Sequence, residues 1–246
     1  MASISTLPPS ITVFFPCFND GESLRRMIPL AVETLGKITS DFEIIVVDDG
    51  SYDSTPAALD FLKSQYVSLW VIRHPRNLGY GATLATGYRS ATKDWVFYTD
   101  GDGQYDVREL AKLWAMAGDG VDGVVGYKTQ RADSWARRVI GKLYNAVVRF
   151  LFRLKVRDVD CDFRLLRRKV VESVSLTARS GAVCVDLMRQ VQDGGFRILE
   201  TPVSHYPRLH GKSHFFRVAP VARTGFDLLR LWFRSLAPRR KPARKM

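Results

Sequence analysis

The residues WVFYTDGDGQ, 95–104, carry the strongest structural signal in this chain. The first five are aromatic or β-branched, which favours a strand, and the glycines at 101 and 103 then interrupt it. Asp100 and Asp102 alternate with those glycines. A buried strand that ends directly in carboxylates is typical of an open sheet whose strand ends form a ligand site. The stretch therefore predicts a buried strand with a polar site at its carboxyl end.

Similar apolar runs lie on both sides of this strand. Each is dense in Val, Ile, Phe or Trp and is followed by polar or glycine-rich residues. Amphipathic stretches separate the runs, which is typical of a mainly parallel sheet covered by helices. The chain is therefore predicted to be an α/β domain. The further strands are predicted at 11–15, 42–47, 67–72 and 121–125, and the helices near 22–38, 54–64, 81–92 and 106–117.

Three of the predicted strand ends carry carboxylates. Asp20 follows the first strand, the pair Asp48 and Asp49 follows the second, and Asp100 and Asp102 follow the fourth. Because ligands of open α/β sheets lie beyond the carboxyl ends of the strands, these side chains are expected to meet. A set of polar turns that only end the strands is the alternative interpretation.

The loop after residue 99 has the composition of a site for a hard divalent cation. Asp100 and Asp102 can share such a cation with diphosphate oxygens, and Gln104 can add a neutral oxygen ligand. The glycine-rich segment 77–87 is only loosely similar to a phosphate-binding loop, because it lacks the lysine-serine ending of a P-loop. The predicted cofactor is Mg²⁺ or Mn²⁺.

Composition narrows the class of protein. The 246 residues are 46% hydrophobic and 25% charged, which suits one large globular domain. The formal net charge of +12 favours phosphate in some form: a nucleotide, a nucleic acid or an anionic membrane. Only three cysteines occur, and no run reaches the roughly 18 apolar residues that span a bilayer. These features predict a reduced, cytoplasmic protein.

The second half of the chain contains two basic amphipathic stretches, 135–154 and 221–236. In each, cationic residues recur on one stripe and Trp, Phe, Leu or Val occupy the rest. The tail 238–246 adds five basic residues and no acidic one. Such helices either lie on an anionic membrane surface or pack their apolar faces on the sheet. The pattern of 135–154 leaves both alternatives open, whereas the basic tail favours a membrane.

The strand-end motifs together resemble those of family 2 glycosyltransferases, which have the GT-A fold. The later segments DVDCDFRLLRR and RLHGKS resemble the branch that contains dolichol-phosphate mannose synthases and bacterial polyprenyl-phosphate glycosyltransferases. The resemblance covers residues 11–213. The motifs are PCFNDGESL at 16–24, VVDDGSYDST at 46–55, RNLGYGATLATG at 76–87, TDGDGQYD at 99–106, DVDCDFRLLRR at 158–168 and RLHGKS at 208–213.

The resemblance implies roles for individual residues. Pro16, Phe18, Asp20 and Asp49 would border the nucleoside, although Asp20 replaces the usual glutamate of that loop. Asp100, Asp102 and Gln104 would surround the metal. The further predicted contacts to the nucleotide-sugar are Asn77, Gly79, Gly101, Arg208, Lys212 and Ser213.

The implied reaction is a single in-line displacement at the anomeric carbon that inverts the sugar's configuration. A polyprenyl phosphate acceptor is already ionised and needs cations, for which Arg131, Arg138, Arg208 and Lys212 are the candidates. A hydroxyl acceptor of a glycan or protein needs a base instead. The candidate bases are Asp158, Asp160 and Asp162. The segment 158–164 departs from the branch, which usually has small or hydroxyl residues ahead of Phe-Arg where this chain has Asp160, Cys161 and Asp162.

These inferences predict a catalytic domain at 1–214, followed by an amphipathic helix and basic tail at 215–246. Within the domain, a nucleotide-sugar and metal half would occupy about 11–126 and an acceptor half about 127–214. The predicted partners are a UDP- or GDP-sugar, a membrane-associated acceptor, an anionic membrane surface and an integral membrane subunit. A basic nucleic-acid-binding protein is the rival class, but the sequence contains no recognised nucleic-acid module.

Overall fold

A computed structural model describes residues 10–131, 135–208 and 218–236. In these ranges one seven-stranded sheet has the strand order β3-β2-β1-β4-β6-β5-β7. The strands are β1 (Ile11–Cys17), β2 (Phe42–Asp48), β3 (Leu69–Arg73), β4 (Trp95–Thr99), β5 (Gly123–Arg131), β6 (Phe163–Arg167) and β7 (Ile198–His205). The helices are α1 (Gly21–Gly36), α2 (Thr55–Gln65), α3 (Tyr80–Ser90), α4 (Leu110–Met116), α5 (Trp135–Phe152), α6 (Arg168–Ser173), α7 (Ala182–Asp193) and α8 (Val218–Leu236), with a 3₁₀ turn at Val107–Glu109.

The sheet is parallel except for β6. Strand β1 pairs in parallel with β2 and β4, and β5 pairs in parallel with β7, whereas β6 runs antiparallel to both β4 and β5. The pairing of Thr99 with Phe163 places the start of β6 at the carboxyl end of β4. The residues before β6 therefore share an edge of the sheet with the residues after β4.

Helices cover both faces of the sheet. Side chains of α1, α2 and α4 pack in one core with Val13 and Phe15 of β1, while α3, α5, α6, α7 and α8 pack in a second core with Phe14. Successive residues of β1 point to opposite faces, because side chains alternate along a strand. The strands are apolar on both faces for this reason, as expected for a buried sheet.

Close packing of α3 on β1 depends on Gly87. A Cβ atom at this position would lie 2.4 Å from the ring of Phe14, which is much closer than a van der Waals contact. The absence of a side chain at Gly87 therefore lets the backbone of α3 approach the sheet closely. The first residue of α3, Tyr80, lies at the same edge of the sheet as the end of β4.

The five predicted strands and the four helices of the first half are all present. Strand β4 has the predicted bounds, but β5 begins at Gly123 instead of 121 and continues to Arg131. Strands β6 and β7 and helices α6 and α7 were not among the predicted elements. Strands β6 and β7 form through pairing with β4 and β5, which are distant in sequence, so local periodicity does not predict them.

Helix α5 packs one face on the sheet and leaves another apolar face exposed. Its inward face consists of Tyr144, Val148 and Phe152, which belong to or pack against the second core. The apolar stripe that includes Leu143 and Phe150 faces outward instead, with these side chains 65% and 82% exposed. Among the helices of the described ranges, none has the length and apolar character needed to cross a bilayer.

Candidate active site

Five loops meet at one edge of the sheet. They follow β1, β2, β4 and β7 and precede β6, whose reversed direction brings its start to this edge. Backbone hydrogen bonds join the first three loops, from Asp49 N to Cys17 O at 2.9 Å and from Gly101 N to Pro16 O at 3.1 Å. The predicted convergence of the strand-end carboxylates is therefore present in the structure.

Arg208 connects two of the predicted carboxylates. Its guanidinium donates to Oδ2 of Asp102 at 2.5 Å and to Oδ1 of Asp20 at 3.3 Å. Asp102 is 6% exposed and Asp20 is 9% exposed, so both ion pairs are shielded from water. The Nε atom of Arg208 is buried and has no hydrogen-bond partner among the residues that the structure describes.

Asp100 lies beside the same cluster. Its Oδ1 accepts a hydrogen bond of 2.7 Å from the hydroxyl of Tyr80. Burial, with the nearby carboxylates of Asp162 and Asp102, raises the pKa of Asp100 well above its usual range. Burial likewise raises the pKa of Asp20 to about 6, although Arg208 acts in the opposite direction. The carboxylates of Asp20, Asp100 and Asp102 thus share one arginine, and the raised pKa values of Asp20 and Asp100 mean that a proton or another cation is favoured there.

Gln104 makes two contacts that the metal prediction did not include. Its side-chain nitrogen donates to the backbone oxygen of Tyr206 at 3.1 Å, and its backbone N–H donates to Asp102 at 3.0 Å. The bond to Tyr206, with a second bond of 2.8 Å from the N–H of Tyr206 to the backbone oxygen of Gln104, joins the loop after β4 to the residues after β7. A ligand role for Gln104 stays a prediction.

Asp49 holds the loop that carries Asn77 and Gly79. Its carboxylate accepts bonds of 2.9 Å from the backbone N–H groups of Leu78 and Gly79, and it lies 2.6 Å from Nδ1 of His74. Asp49 is 3% exposed, so the contacts to this loop occupy most of its hydrogen-bonding capacity. The predicted nucleoside contact stays a prediction, and the observed role is to position the loop.

Pro16 and Phe18 lie at the carboxyl end of β1, and their predicted contact with the nucleoside stays a prediction. Pro16 is buried in β1, and Phe18 is half-buried in the loop that follows. The ring of Phe18 lies 5.8 Å from the ring of Tyr52, which is 77% exposed, and Asn77 is exposed on the neighbouring loop. This side of the site therefore presents aromatic surface, as a wall for a base requires.

The three candidate bases before β6 differ in their surroundings. Asp158 accepts from the backbone N–H groups of Lys128 and Asp160, and Asp162 accepts from Tyr98 and Cys184. Within the described ranges, the carboxylate of Asp160 accepts no hydrogen bond, and its side chain is half-buried. Burial raises the pKa of Asp160 to about 7, against the attraction of Lys128. Asp160 is therefore the candidate base with a free carboxylate.

The substitution Asp160→Asn is expected to stabilise the chain above about pH 7. The unfolded carboxylate loses its proton near its usual pKa of 3.8, whereas the folded one holds its proton up to about 7. The unfolding free energy of the wild type therefore falls, relative to the variant, as the pH rises from about 4 to about 7, by up to roughly 4 kcal/mol. Thermal melts of both proteins across this range measure the difference.

Asp60→Asn is the matched control, because Asp60 is 64% exposed and pairs only at the surface with Arg73. Its effect should vary little with pH. A stability difference between wild type and Asp160→Asn that stays constant from acid to neutral pH would contradict the prediction.

Of the four basic residues predicted to bind phosphate, the described structure places only some at the edge where the strand ends meet. Arg138 is exposed on α5. The side chain of Arg131, at the end of β5, and the residues Lys212 and Ser213 lie outside what the structure describes. Arg208 is thus the predicted cation that the structure places in direct contact with the carboxylates.

Three residues of the site were missed by the sequence analysis. Tyr80 donates to Asp100, while Lys128 donates through Nζ to the backbone oxygen of Asp160. Arg164 is 1% exposed and donates to the backbone oxygens of Cys161 and Val159. It thereby fixes the backbone of residues 158–162, the acidic loop, to the start of β6. An arginine inside an apolar run such as 163–166 is unusual for a buried strand, and this signal was available in the sequence.

A family model, that of Glycosyl transferase family 2, matches residues 12–175. This match covers well over half of the chain. The chain belongs to glycosyl transferase family 2.

Two relatives of this family 2 chain carry the name undecaprenyl-phosphate 4-deoxy-4-formamido-L-arabinose transferase. The one from Aeromonas hydrophila subsp. hydrophila is 27% identical over 206 residues, which cover 83% of this chain and 62% of that protein. The one from Proteus mirabilis is 26% identical over 208 residues, with the same two shares. The family 2 chain therefore spans less than two thirds of the length of either relative.

Solved structures show the same fold. Glucosyl-3-phosphoglycerate synthase from Mycobacterium tuberculosis, crystallised with Mn²⁺, UDP and phosphoglyceric acid, matches with a TM-score of 0.71 at 18% identity, over 94% of this chain and 80% of that one. Mannosyltransferase PcManGT from Pyrobaculum calidifontis, in complex with GDP-Man and Mn²⁺, matches with a TM-score of 0.67 at 20% identity, over 96% of this chain and 67% of that one. These matches confirm the predicted GT-A fold of the family 2 chain.

The donor atoms of the site suit a hard divalent cation. Asp100 and Asp102 offer carboxylate oxygens at one strand end, where burial and neighbouring carboxylates favour the binding of a proton or a metal cation. In the described ranges, no group of three or more His, Cys, Asp and Glu side chains is arranged as a complete metal site. The chemistry of these two carboxylates fits part of the coordination shell of such a cation.

Proposed function

We propose that this family 2 chain transfers a sugar, such as a hexose, from a UDP- or GDP-sugar to a polyprenyl phosphate, with inversion at the anomeric carbon. The observation that carries the proposal is the pair of buried aspartates, Asp20 and Asp102, bridged by Arg208 at the edge where the strand ends meet. The names of the undecaprenyl-phosphate relatives support the acceptor class.

The donor would lie across the ends of β1, β2 and β4. Phe18 and Tyr52 would face the base, and the loop held by Asp49 would face the ribose and phosphates. Asp100 and Asp102 would hold Mg²⁺ or Mn²⁺, which when bound offsets the negative charge of the leaving diphosphate. Arg208, which donates to Asp102 in this structure, would donate to the diphosphate when the donor sugar binds. The planar set of N–H donors of its guanidinium matches the spacing of phosphate oxygens.

The acceptor phosphate would approach the loop at 158–162. An ionised phosphate is itself the nucleophile, so this reaction needs positioning and cations more than a base. Arg131, Arg138 and Lys212 stay the predicted cations on this side. Lys128 would hold the loop in place through its bond to the backbone oxygen of Asp160.

The proposed acceptor sets the location and the partners. A polyprenyl chain is confined to a bilayer, so the protein would act at the cytoplasmic face of a membrane, with an integral membrane subunit as a further proposed partner. The proposed division of the chain remains a catalytic domain at 1–214, with donor and acceptor halves, followed by a helix and basic tail at 215–246.

A hydroxyl of a glycan or protein is the second candidate acceptor. Asp160 favours it, because its half-buried carboxylate accepts no hydrogen bond from the described part of the chain and its pKa of about 7 suits a general base. Under this alternative, Asp160→Asn would abolish the rise of activity with pH. With a polyprenyl phosphate acceptor, the same variant would retain most of its turnover.

Thermal stability with ligands tests the donor site. Purified protein is melted with UDP, GDP, dTDP or a short DNA duplex, each with and without Mn²⁺, because a ligand that binds only the folded state raises the melting temperature. We expect UDP or GDP to stabilise the protein only when Mn²⁺ is present. Stabilisation by DNA alone would favour the nucleic-acid-binding class and would overturn the proposal.

A further inference from the structure

Helix α5 exposes a broad apolar stripe. Trp135, Leu143 and Phe150 are 73%, 65% and 82% exposed, and Val139, Ile140, Val147 and Leu151 are also exposed. Single exposed apolar residues are common on protein surfaces, but a stripe along an entire helix marks an interaction surface. The inward face of α5, at Tyr144, Val148 and Phe152, is separate from this stripe.

Helix α8 repeats the arrangement and contacts α5. Phe226, Leu229 and Phe233 are 67%, 57% and 64% exposed, and their spacing of three and four residues places them on one face. Leu231 is buried on the opposite side, in the second core. Two neighbouring helices therefore each have one face for the core and another apolar face exposed to solvent.

Each apolar stripe has a basic stripe beside it. On α5 the basic residues are Arg138, Lys142 and Arg149, and on α8 they are Arg223, Arg230 and Arg234. Helix α5 contains no acidic residue, and the one aspartate of α8, Asp227, accepts a hydrogen bond from Ser180. Five more basic residues follow α8 in the sequence. The charge next to the apolar stripes is thus almost entirely positive.

We propose that α5 and α8 dock the protein onto an anionic lipid bilayer. The apolar stripes would enter the boundary between headgroups and acyl chains, and the basic stripes would contact the anionic headgroups. Charge complementarity selects this occupant over a second copy of the chain, because two copies would bring like-charged stripes together.

Hydrogen bonds join α5, one of the two helices proposed to dock on the bilayer, to a loop of the candidate active site. Asn145 of α5 donates to the backbone oxygen of Arg157 at 2.7 Å and accepts from the N–H of Val159 at 3.1 Å. Docking of α5 would therefore hold the acidic loop, which begins at Asp158, at a fixed height above the bilayer. This last step rests on the proposed function, since only a lipid-linked acceptor needs that placement.

Vesicle flotation of the full chain tests the docking. We expect binding to vesicles of phosphatidylglycerol with phosphatidylcholine, and much weaker binding to phosphatidylcholine alone. The double variants L143S/F150S and F226S/F233S should each lower the partition coefficient on the order of tenfold or more. The charge variant K142Q/R223Q should weaken binding to the anionic vesicles only.

The matched controls are Val67→Ser and Trp70→Ser, which alter side chains 99% and 58% exposed elsewhere on the surface. They should float as the wild type does. Wild-type protein that stays with the soluble fraction, or L143S/F150S that floats normally, overturns the proposal. So does a dimer, seen by analytical ultracentrifugation, that L143S/F150S converts to monomer without any vesicle binding.

Melts with nucleotide and Mn²⁺ on the same variants keep the two proposals apart. Nucleotide-dependent stabilisation without vesicle binding would reject the docking and leave the proposed function in place. Vesicle binding without any nucleotide effect would reject the proposed function and support the docking.

Discussion

Asp102→Ala is expected to lower the turnover of the donor sugar about a thousandfold. The variant loses a carboxylate that would hold the divalent cation and also loses the buried partner of Arg208. Both changes remove charge stabilisation at the leaving diphosphate, where one preorganised interaction is worth roughly a hundred- to a thousandfold in rate. Initial rates of nucleoside diphosphate release, with the donor identified by the thermal assay, measure the loss.

Two controls separate this loss from a loss of folding. Asp102→Asn retains an oxygen that can accept from the N–H of Gln104, and it should melt near the wild type while turnover stays low. Asp60→Ala removes an exposed aspartate and should leave turnover unchanged. Asp102→Ala that works at the wild-type rate would reject the proposed mechanism.

Arg208→Gln is expected to lower turnover about a hundredfold and to strengthen Mn²⁺ binding in the absence of nucleotide. The guanidinium of Arg208 contacts Asp102, so it competes with a cation for this carboxylate. It would also bind the diphosphate, which explains the lower turnover. Titration of Mn²⁺, followed by electron paramagnetic resonance, measures the metal affinity of the free protein independently of activity.

Arg73→Gln is the matched control, because Arg73 forms a single exposed pair with Asp60 and does not contact the site. Its turnover and its Mn²⁺ affinity should equal those of the wild type. Weaker Mn²⁺ binding by Arg208→Gln would show that Arg208 supports the metal site rather than competes with the metal.

The first half of the chain was predictable because its signals are local. The strand from Trp95 to Thr99 is a continuous apolar run with a sharp polar end, and its observed bounds equal the predicted ones. The run 163–167 lacked such a signal, because Arg164 interrupts its apolar residues. Arg164 can be buried in this strand because backbone oxygens of the acidic loop accept hydrogen bonds from its guanidinium.

The candidate site was only partly predictable. The acidic residues at the ends of β1, β2 and β4 follow from the rule for open α/β sheets. The contact roles of these residues did not follow from it: Asp49 positions a loop, and Asp160 differs from Asp158 and Asp162 only through its neighbours. Such differences arise from hydrogen bonds between separate loops, which spacing along the chain does not encode.

The sequence by itself determined the α/β class, the strands of the first half and the carboxylates at their ends, because short-range periodicity and turn chemistry act within a few residues. The tertiary structure alone decided that β6 runs antiparallel and brings Asp162 beside Asp100. It also decided that Arg208 pairs with Asp102, 106 residues away, and that the apolar stripe of α5 faces outward. Long-range pairing and the choice between two apolar helix faces depend on which surfaces the remaining chain covers, and this is settled only when the entire core packs.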